Sequence, residues 1–247
     1  MGIFSFFKKK EKLLEPMDLS ILGTDVHSHF IPGIDDGAKT MEDALQMIEE
    51  LENLGYKKIV TTPHVMSDFY KNTPEIILSG LENVRTALKE KGSSVELFAA
   101  AEYNVDSDFE ALIEQKKLLT FGDNYVLFEL PFFTEPANMS KCVFKMQTLD
   151  YKPILAHVER YPFWHSNPDK LYELRDKNLL FQLNINSLTG FYGPEVKKMA
   201  EWMVDNNMVE LLGTDCHHMG HIGLLKQAVR LPYFHKAAQF NLINKQL

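Results

Sequence analysis

The 247-residue sequence predicts an α/β fold built on a parallel sheet that is closed, or nearly closed, into a barrel. Three observations carry that expectation. Short β-rich runs alternate with helix-periodic stretches from Leu19 onward, many of the runs end in an ionisable residue, and no repeat, low-complexity tract or linker divides the chain after Pro16. The composition, 45% hydrophobic and 24% charged, is globular and excludes disordered, collagenous and coiled-coil classes. Nowhere do about 18 uncharged apolar residues follow one another, as a bilayer span requires.

The first sixteen residues differ in kind. Phe4, Phe6 and Phe7 stand beside Lys8, Lys9 and Lys10, and Pro16 ends the segment. Because the charge follows the apolar run and no longer apolar core comes next, this is not a signal peptide. It reads as a leader, either mobile or a short packing arm, with a peripheral contact to a membrane or partner as the alternative. A single domain over 17–247 follows. Its expected strands are Ile21–Val26, Lys58–Thr62, Val95–Ala101, Tyr125–Leu130, Pro153–His157, Leu180–Ile185 and Val209–Thr214. Between the first two, Ala44, Leu45, Ile48, Leu51 and Leu54 recur at helix spacing over Thr40–Leu54, and Gly55 marks the stop. Thr73-Pro74 opens a second helix with a cap and a proline at the first position, and Pro168–Lys177 and Pro194–Asn206 start likewise.

Charge and cysteine content narrow the function. A formal charge of -8 argues against a nucleic-acid groove. Cys142 and Cys216 are the two cysteines, which suits a reducing cytoplasm. A cysteine-based phosphatase needs an arginine six positions after its thiolate, whereas Thr148 and Ile222 occupy those positions. Any bidentate anion clamp must come from Arg85, Arg160, Arg175 or Arg230.

The positions of the metal-type ligands are the informative feature. His27 and His29 end the first run, His64 the second, Glu102 the third, Glu129 the fourth, His157 the fifth, and Asp215 with His217 the seventh. In a parallel α/β barrel these ends meet at one face. Residues i and i+2 of an extended segment share a side, so His27 should point with His29 and Asp215 with His217, while Cys216 turns away as a small buried residue. Asp36, in the loop after the first run, completes nine candidates, with Asp35 as its rival and either able to cap a turn. Glu159 is open between orienting Arg160 or a ligand and being a solvated surface carboxylate. Imidazole and carboxylate together suit zinc, manganese or iron, and nine ligands exceed what one four-coordinate ion uses.

Thr24-Asp25-Val26-His27-Ser28-His29, Asp35-Asp36-Gly37, Thr62-Pro63-His64, Ala101-Glu102-Tyr103, Phe128-Glu129, Ala156-His157-Val158-Glu159-Arg160-Tyr161 and Thr214-Asp215-Cys216-His217 resemble, in family order, the polymerase and histidinol phosphatase (PHP) superfamily. More narrowly they resemble its bacterial capsule-type branch of manganese-dependent protein tyrosine phosphatases. The resemblance implies a distorted seven-stranded barrel with a trinuclear site. It would place His27, His29, Glu102 and Asp215 on a first ion, Glu102, Glu129 and His157 on a second, and Asp36, His64 and His217 on a third. Two or three divalent transition-metal ions follow, manganese first, with iron or zinc as alternatives. Arg160 matches a phosphate-binding arginine of the family. A second such arginine, expected a few residues past the last Asp-x-His, is missing from His217-His218-Met219-Gly220-His221, so His218 or His221 could stand in for it, or could merely cap a helix or face solvent.

The implied reaction is hydrolysis of protein phosphotyrosine by attack of metal-bound hydroxide in the regulation of polysaccharide synthesis, since bound ions bring the pKa of water from about 15.7 to near 7. The implied partner is a bacterial polysaccharide-export tyrosine kinase. A PHP phosphatase of a small phosphoester such as histidinol phosphate would keep every ligand and is the main alternative. An amidohydrolase, which expects eight strands, and a non-catalytic scaffold with a relict site are the other rivals.

Overall fold

A computed structural model describes residues 12–247. The predicted α/β fold is present, as a rolled sheet of parallel strands with helices outside it. The chain runs β1 (Thr24–Asp25), α1 (Met41–Asn53), β2 (Lys58–Thr61), β3 (His64–Val65), α2 (Pro74–Lys91), β4 (Glu96–Ala99), β5 (Glu102–Asn104), α3 (Phe109–Glu114) and β6 (Tyr125–Glu129). It continues through α4 (Met139–Thr148), β7 (Lys152–Leu155), α5 (Lys170–Arg175), β8 (Leu180–Asn184), α6 (Pro194–Asp205), β9 (Leu211–Gly213), α7 (Met219–Ala228) and α8 (Pro232–Ala237).

The strand count differs from the expected seven, because the second and third runs are each broken in two. Pro63 offers no N–H to continue a ladder, and Thr62 N turns aside to donate to Ser28 O at 2.6 Å. The neighbouring run breaks at the same level, after Ala99. Consequently β1, β2 and β4 form one small sheet, while β3 and β5 cross into a second sheet ordered β3-β5-β6-β7-β8-β9. The break serves the ligands: in the new register His64 lies opposite Glu102, and Asn104 opposite Glu129. The first run is also shorter than expected. Asp18 caps a 3-10 turn over Leu19–Ile21, accepting from Ser20 N, which delays β1 to Thr24.

The roll is tied shut between its first and last strand positions. Ser28 and Cys216 form a parallel bridge, Asp215 N donates to His27 O at 2.8 Å, and His29 N donates to Cys216 O at 3.0 Å. One step earlier, the buried Asp25 carboxylate accepts from Thr214 N at 3.0 Å and Thr214 Oγ1 at 2.8 Å. Val26, Val60, Ala100, Leu127, Ile154 and Leu211, from strands or the residues just past them, belong to one small apolar cluster distinct from the larger core. These side chains fill the roll from one end and leave the other to polar groups.

The first two long helices and α6 begin where the sequence marks them, whereas the helix expected from Pro168 starts at Lys170. Thr40 and Asp43 form a reciprocal capping box on α1, and Thr73 caps α2 ahead of Pro74. Among the described residues no helix is long and apolar enough to cross a membrane. Of the expected leader, residues 1–11 lie outside the described part. The remainder is tied to the body through Leu14, whose N donates to Arg230 O at 2.8 Å.

Candidate metal centre

All nine candidate ligands converge at the open end of the roll. Glu102, fully buried, is the hub. Its Oε2 lies 3.2 Å from His27 Nε2, 3.1 Å from His64 Nδ1 and 3.6 Å from His29 Nε2, while Oε1 lies 3.0 Å from His157 Nε2. On one side, Asp215 Oδ1 is 3.4 Å from His27 Nε2, 3.6 Å from His29 Nε2 and 3.3 Å from His217 Nδ1. On the other, Glu129 is 3.3 Å from His64 and 3.7 Å from His157. Asp36 Oδ1 lies 3.4 Å from both His64 Nε2 and His217 Nε2. Four overlapping groups result, His27/His29/Asp215, His27/Glu102/His157, His64/Glu102/Glu129 and His29/Asp36/His64/His217, each with ligand atoms within 4.8 Å of one another.

The donor set fits divalent ions on grounds internal to the structure. His27 Nε2, His29 Nε2, His64 Nδ1 and Glu102 Oε2 are buried yet make no hydrogen bond, and they face one another. Orphaned buried polar atoms of this kind are costly unless something else satisfies them. The imidazoles are oriented from behind. Gln182 Oε1 accepts from His27 Nδ1 at 3.0 Å, and Asp35 Oδ2 accepts from His29 Nδ1 at 2.8 Å. Both rings then present Nε2 inward, the arrangement that outer carboxylates and amides impose on metal-binding histidines. Asp35 and Asp36 thereby separate in role: Asp35 also accepts from Gly37 N and His64 N, leaving Asp36 to face the histidines. Gly37 is obligatory in this turn, since a Cβ there would lie 2.2 Å from His29 O.

Electrostatics keep the carboxylates charged. Burial opposes ionisation of Glu102 and Asp215, yet the facing histidines hold both well below the usual carboxylate range. Burial likewise disfavours a charged His27, but Glu102 and Asp215 outweigh it and push the imidazole up to about 9.

Arg160 lies over this cluster. Its Nη1 donates to Asp215 Oδ2 at 2.8 Å, and its guanidinium is stacked between Phe132 and Tyr192 at 4.8 and 4.4 Å. A cavity of about 260 Å³ opens beside it, lined in part by Tyr70, Asn104, Phe132, His157 and Arg160. His218 and His221 are not among its lining residues. The His218 ring caps α7, accepting from Gly220 N at 3.1 Å. His221 Nδ1 sits 3.0 Å from Asp215 O and 3.2 Å from His217 N, where burial pushes its pKa down to about 4. Neither ring offers its Nδ1 to the cavity.

Cys216 turns away as expected, buried with its Sγ 3.7 Å from Met47 Sδ. Glu159 is no surface carboxylate. It is fully buried, accepts from Ser187 Oγ at 2.6 Å and Asn184 N at 3.2 Å, and burial pushes its pKa up to about 7. It braces the turn after β8 and makes no hydrogen bond with Arg160. The sixth strand position was overlooked for want of a histidine or acid, yet Gln182 orients His27 and Asn184 Nδ2 donates to Asp215 Oδ2 at 2.9 Å. The readable signal was two polar residues spaced by two within an otherwise apolar strand. Tyr70, Phe132 and Tyr192 were overlooked as well. All three lie in loops after strands, where such barrels place function.

Residues 23–240 match the family model described as capsular polysaccharide synthesis, CpsB/CapC. The chain is 28% identical over 196 residues to the tyrosine-protein phosphatase YwqE of Bacillus subtilis, covering 79% of this chain and 77% of that protein. Against the tyrosine-protein phosphatase CpsB of Streptococcus pneumoniae it is 26% identical over 201 residues, or 79% and 83% of the two chains. A solved chain from the crystal structures of YwqE and CpsB, described as metal-dependent tyrosine phosphatases, superimposes with a TM-score of 0.75 at 26% identity, covering 87% of this chain and 84% of that one. A lactonase from Listeria monocytogenes, at 11% identity and a TM-score of 0.50 over 92% and 89%, shares the fold alone. The family match spans nearly the whole described domain, and the chain belongs to the CpsB/CapC family of capsular polysaccharide synthesis.

Proposed function

We propose that this protein is a metal-dependent phosphatase that hydrolyses phosphotyrosine on protein substrates and so regulates capsule or exopolysaccharide synthesis. The observation that carries the reading is the set of unsatisfied Nε2, Nδ1 and carboxylate atoms facing one another beneath Arg160. The names of the relatives favour phosphotyrosine over histidinol phosphate. With three ions, His27, His29, Glu102 and Asp215 would hold the first, Glu102, Glu129 and His157 the second, and Asp36, His64 and His217 the third. Manganese is the proposed metal, and a tyrosine kinase of polysaccharide export the proposed substrate.

When bound, the ions activate water near neutral pH and offset the charge of the phosphoryl group. The remaining work falls to side chains. Arg160 spends one arm on Asp215 and directs its other donors at phosphate oxygens, where a planar fork can bind two at once. Phe132 and Tyr192 hold the guanidinium flat by stacking on it. Asp35 and Gln182 fix the tautomers of His29 and His27. Tyr70, stacked on His64 at 5.5 Å, walls the cavity with an aromatic face suited to a phenol ring. A phenolate, with a pKa of about 10, leaves with little help from an acid.

The test combines metal analysis with activity. The purified protein should contain two or three transition-metal ions, and exhaustive chelation should abolish hydrolysis of p-nitrophenyl phosphate, with manganese restoring it. Comparing kcat/KM on a phosphotyrosine peptide and on histidinol phosphate decides the substrate. Activity indifferent to chelator and to manganese would overturn the metal reading; preference for histidinol phosphate would overturn the tyrosine reading.

A further inference from the structure

Four phenylalanines of the described chain are more than half exposed: Phe69, Phe133, Phe144 and Phe191. Scattered apolar residues on a surface need no explanation. Three of these four are not scattered, however. Phe69 adjoins Tyr70, Phe133 adjoins Phe132, and Phe191 adjoins Tyr192. In each pair the inner ring touches the candidate centre, Tyr70 stacking on His64, Phe132 on His157 and under Arg160, and Tyr192 under Arg160 from the other side. The outer ring of each pair is left to solvent, at 77%, 98% and 55% exposure respectively. The pairs come from three separate loops, after β3, β6 and β8, so each outer ring is the next residue along from an aromatic that touches the site.

From this arrangement we infer that Phe69, Phe133 and Phe191 are specificity-determining residues that grip the polypeptide on either side of the phosphotyrosine. The inference rests on the phosphotyrosine reading above. A small phosphoester seated in a cavity of about 260 Å³ meets the inner rings and leaves the outer ones bare. Touching rings carried by three separate loops takes a ligand that extends beyond the cavity in more than one direction, which is what a chain bearing a modified tyrosine does. The chemistry of the flanks follows from the rim. Phenyl rings offer apolar and π contacts only. The occupant is therefore a segment whose phosphotyrosine is flanked by apolar side chains.

The experiment uses the metal-loaded full chain carrying Phe69→Ser, Phe133→Ser and Phe191→Ser together, with Phe144→Ser on the outer face of α4 as the control for losing an exposed ring. Two substrates are compared, p-nitrophenyl phosphate and a phosphotyrosine peptide with leucine and valine flanks. The triple variant should lose about 10-fold in kcat/KM on the peptide, through KM with kcat held, and less than about twofold on the small ester. Phe144→Ser should alter neither. Equal values for variant and wild type on the peptide would overturn the inference, as would an equal loss on both substrates, which marks a structural role. A wild type that hydrolyses the small ester but not the peptide would instead overturn the phosphotyrosine reading itself.

Discussion

Replacing Asp35 by asparagine tests the metal centre without touching a proposed ligand. Its carboxylate accepts three hydrogen bonds: Oδ2 from His29 Nδ1 at 2.8 Å and His64 N at 3.0 Å, and Oδ1 from Gly37 N at 2.9 Å. An amide of the same shape has one accepting oxygen. With that oxygen in the Oδ2 position, the NH₂ group meets Gly37 N–H donor to donor and loosens the turn that carries Asp36. With the amide reversed, NH₂ faces His29 Nδ1 and favours the tautomer protonated on Nε2, the atom aimed at Glu102 and Asp215. Either way the centre loses part of the proposed first or third ion site. Changes to such outer groups weaken metal affinity about 10- to 100-fold, or about 1.4–2.7 kcal/mol. Competition titration of manganese against a chromophoric chelator measures this directly, with circular dichroism and thermal melting as checks on folding. Folded Asp35→Asn with wild-type manganese affinity would refute the idea that Asp35 governs His29 and the Asp36 turn.

Two further outcomes follow from the cavity. Arg160→Lys should fold and keep its metals while losing about 10-fold or more in kcat/KM, because a lysine offers a point charge in place of a fork and forfeits stacking between Phe132 and Tyr192; inhibition by inorganic phosphate should weaken in parallel, and wild-type kinetics would remove Arg160 from phosphate binding. His218→Ala should lower stability by about 1 kcal/mol through loss of the α7 cap, yet leave kcat/KM within about twofold; a large kinetic loss in the folded, metal-loaded variant would return His218 to the substrate site.

Much of the centre was legible because a parallel roll gathers strand ends at one face, so a histidine or acid at the end of each run announces its neighbours. His64 and Glu102 are thirty-eight positions apart in sequence, yet they pair as strand partners. What escaped was of a different physical kind. The breaks that give nine strands rather than seven depend on where Thr62 N and Pro63 send the backbone, which a run of β-formers does not disclose. Glu159 was ambiguous because its burial is set by α6 and the turn over Ile185–Thr189 closing over it, both remote in sequence. His218 and His221 could not be resolved because α7 starts at Met219 and turns the first into a cap and the second inward. The polar residues of β8 were missed because a search for ligands passes over amides, although it is amides that orient ligands here.

The backbone at the centre shows how the chain itself aims two of the proposed ligands. His157 and Asp215 adopt left-handed conformations, with φ of 32° and 48°, in a region that residues with a Cβ enter at a cost of about 1–3 kcal/mol. Such conformations persist only where surrounding groups over-determine them. For Asp215 they do: its N donates to His27 O, its carbonyl oxygen lies 3.0 Å from both His217 Nδ1 and His221 Nδ1, and its Oδ2 accepts from Arg160 and Asn184. His157 is held through Gln182 Oε1, which accepts from its N, and through its own carbonyl, which accepts from Arg160 N. Gln182 therefore sets both the tautomer of His27 and the backbone of His157, two proposed ligands from different strands. His221, though outside the cavity, supports the turn that aims Asp215 and His217. The strain falls at two strand ends where the chain must leave the sheet and still point a ligand inward.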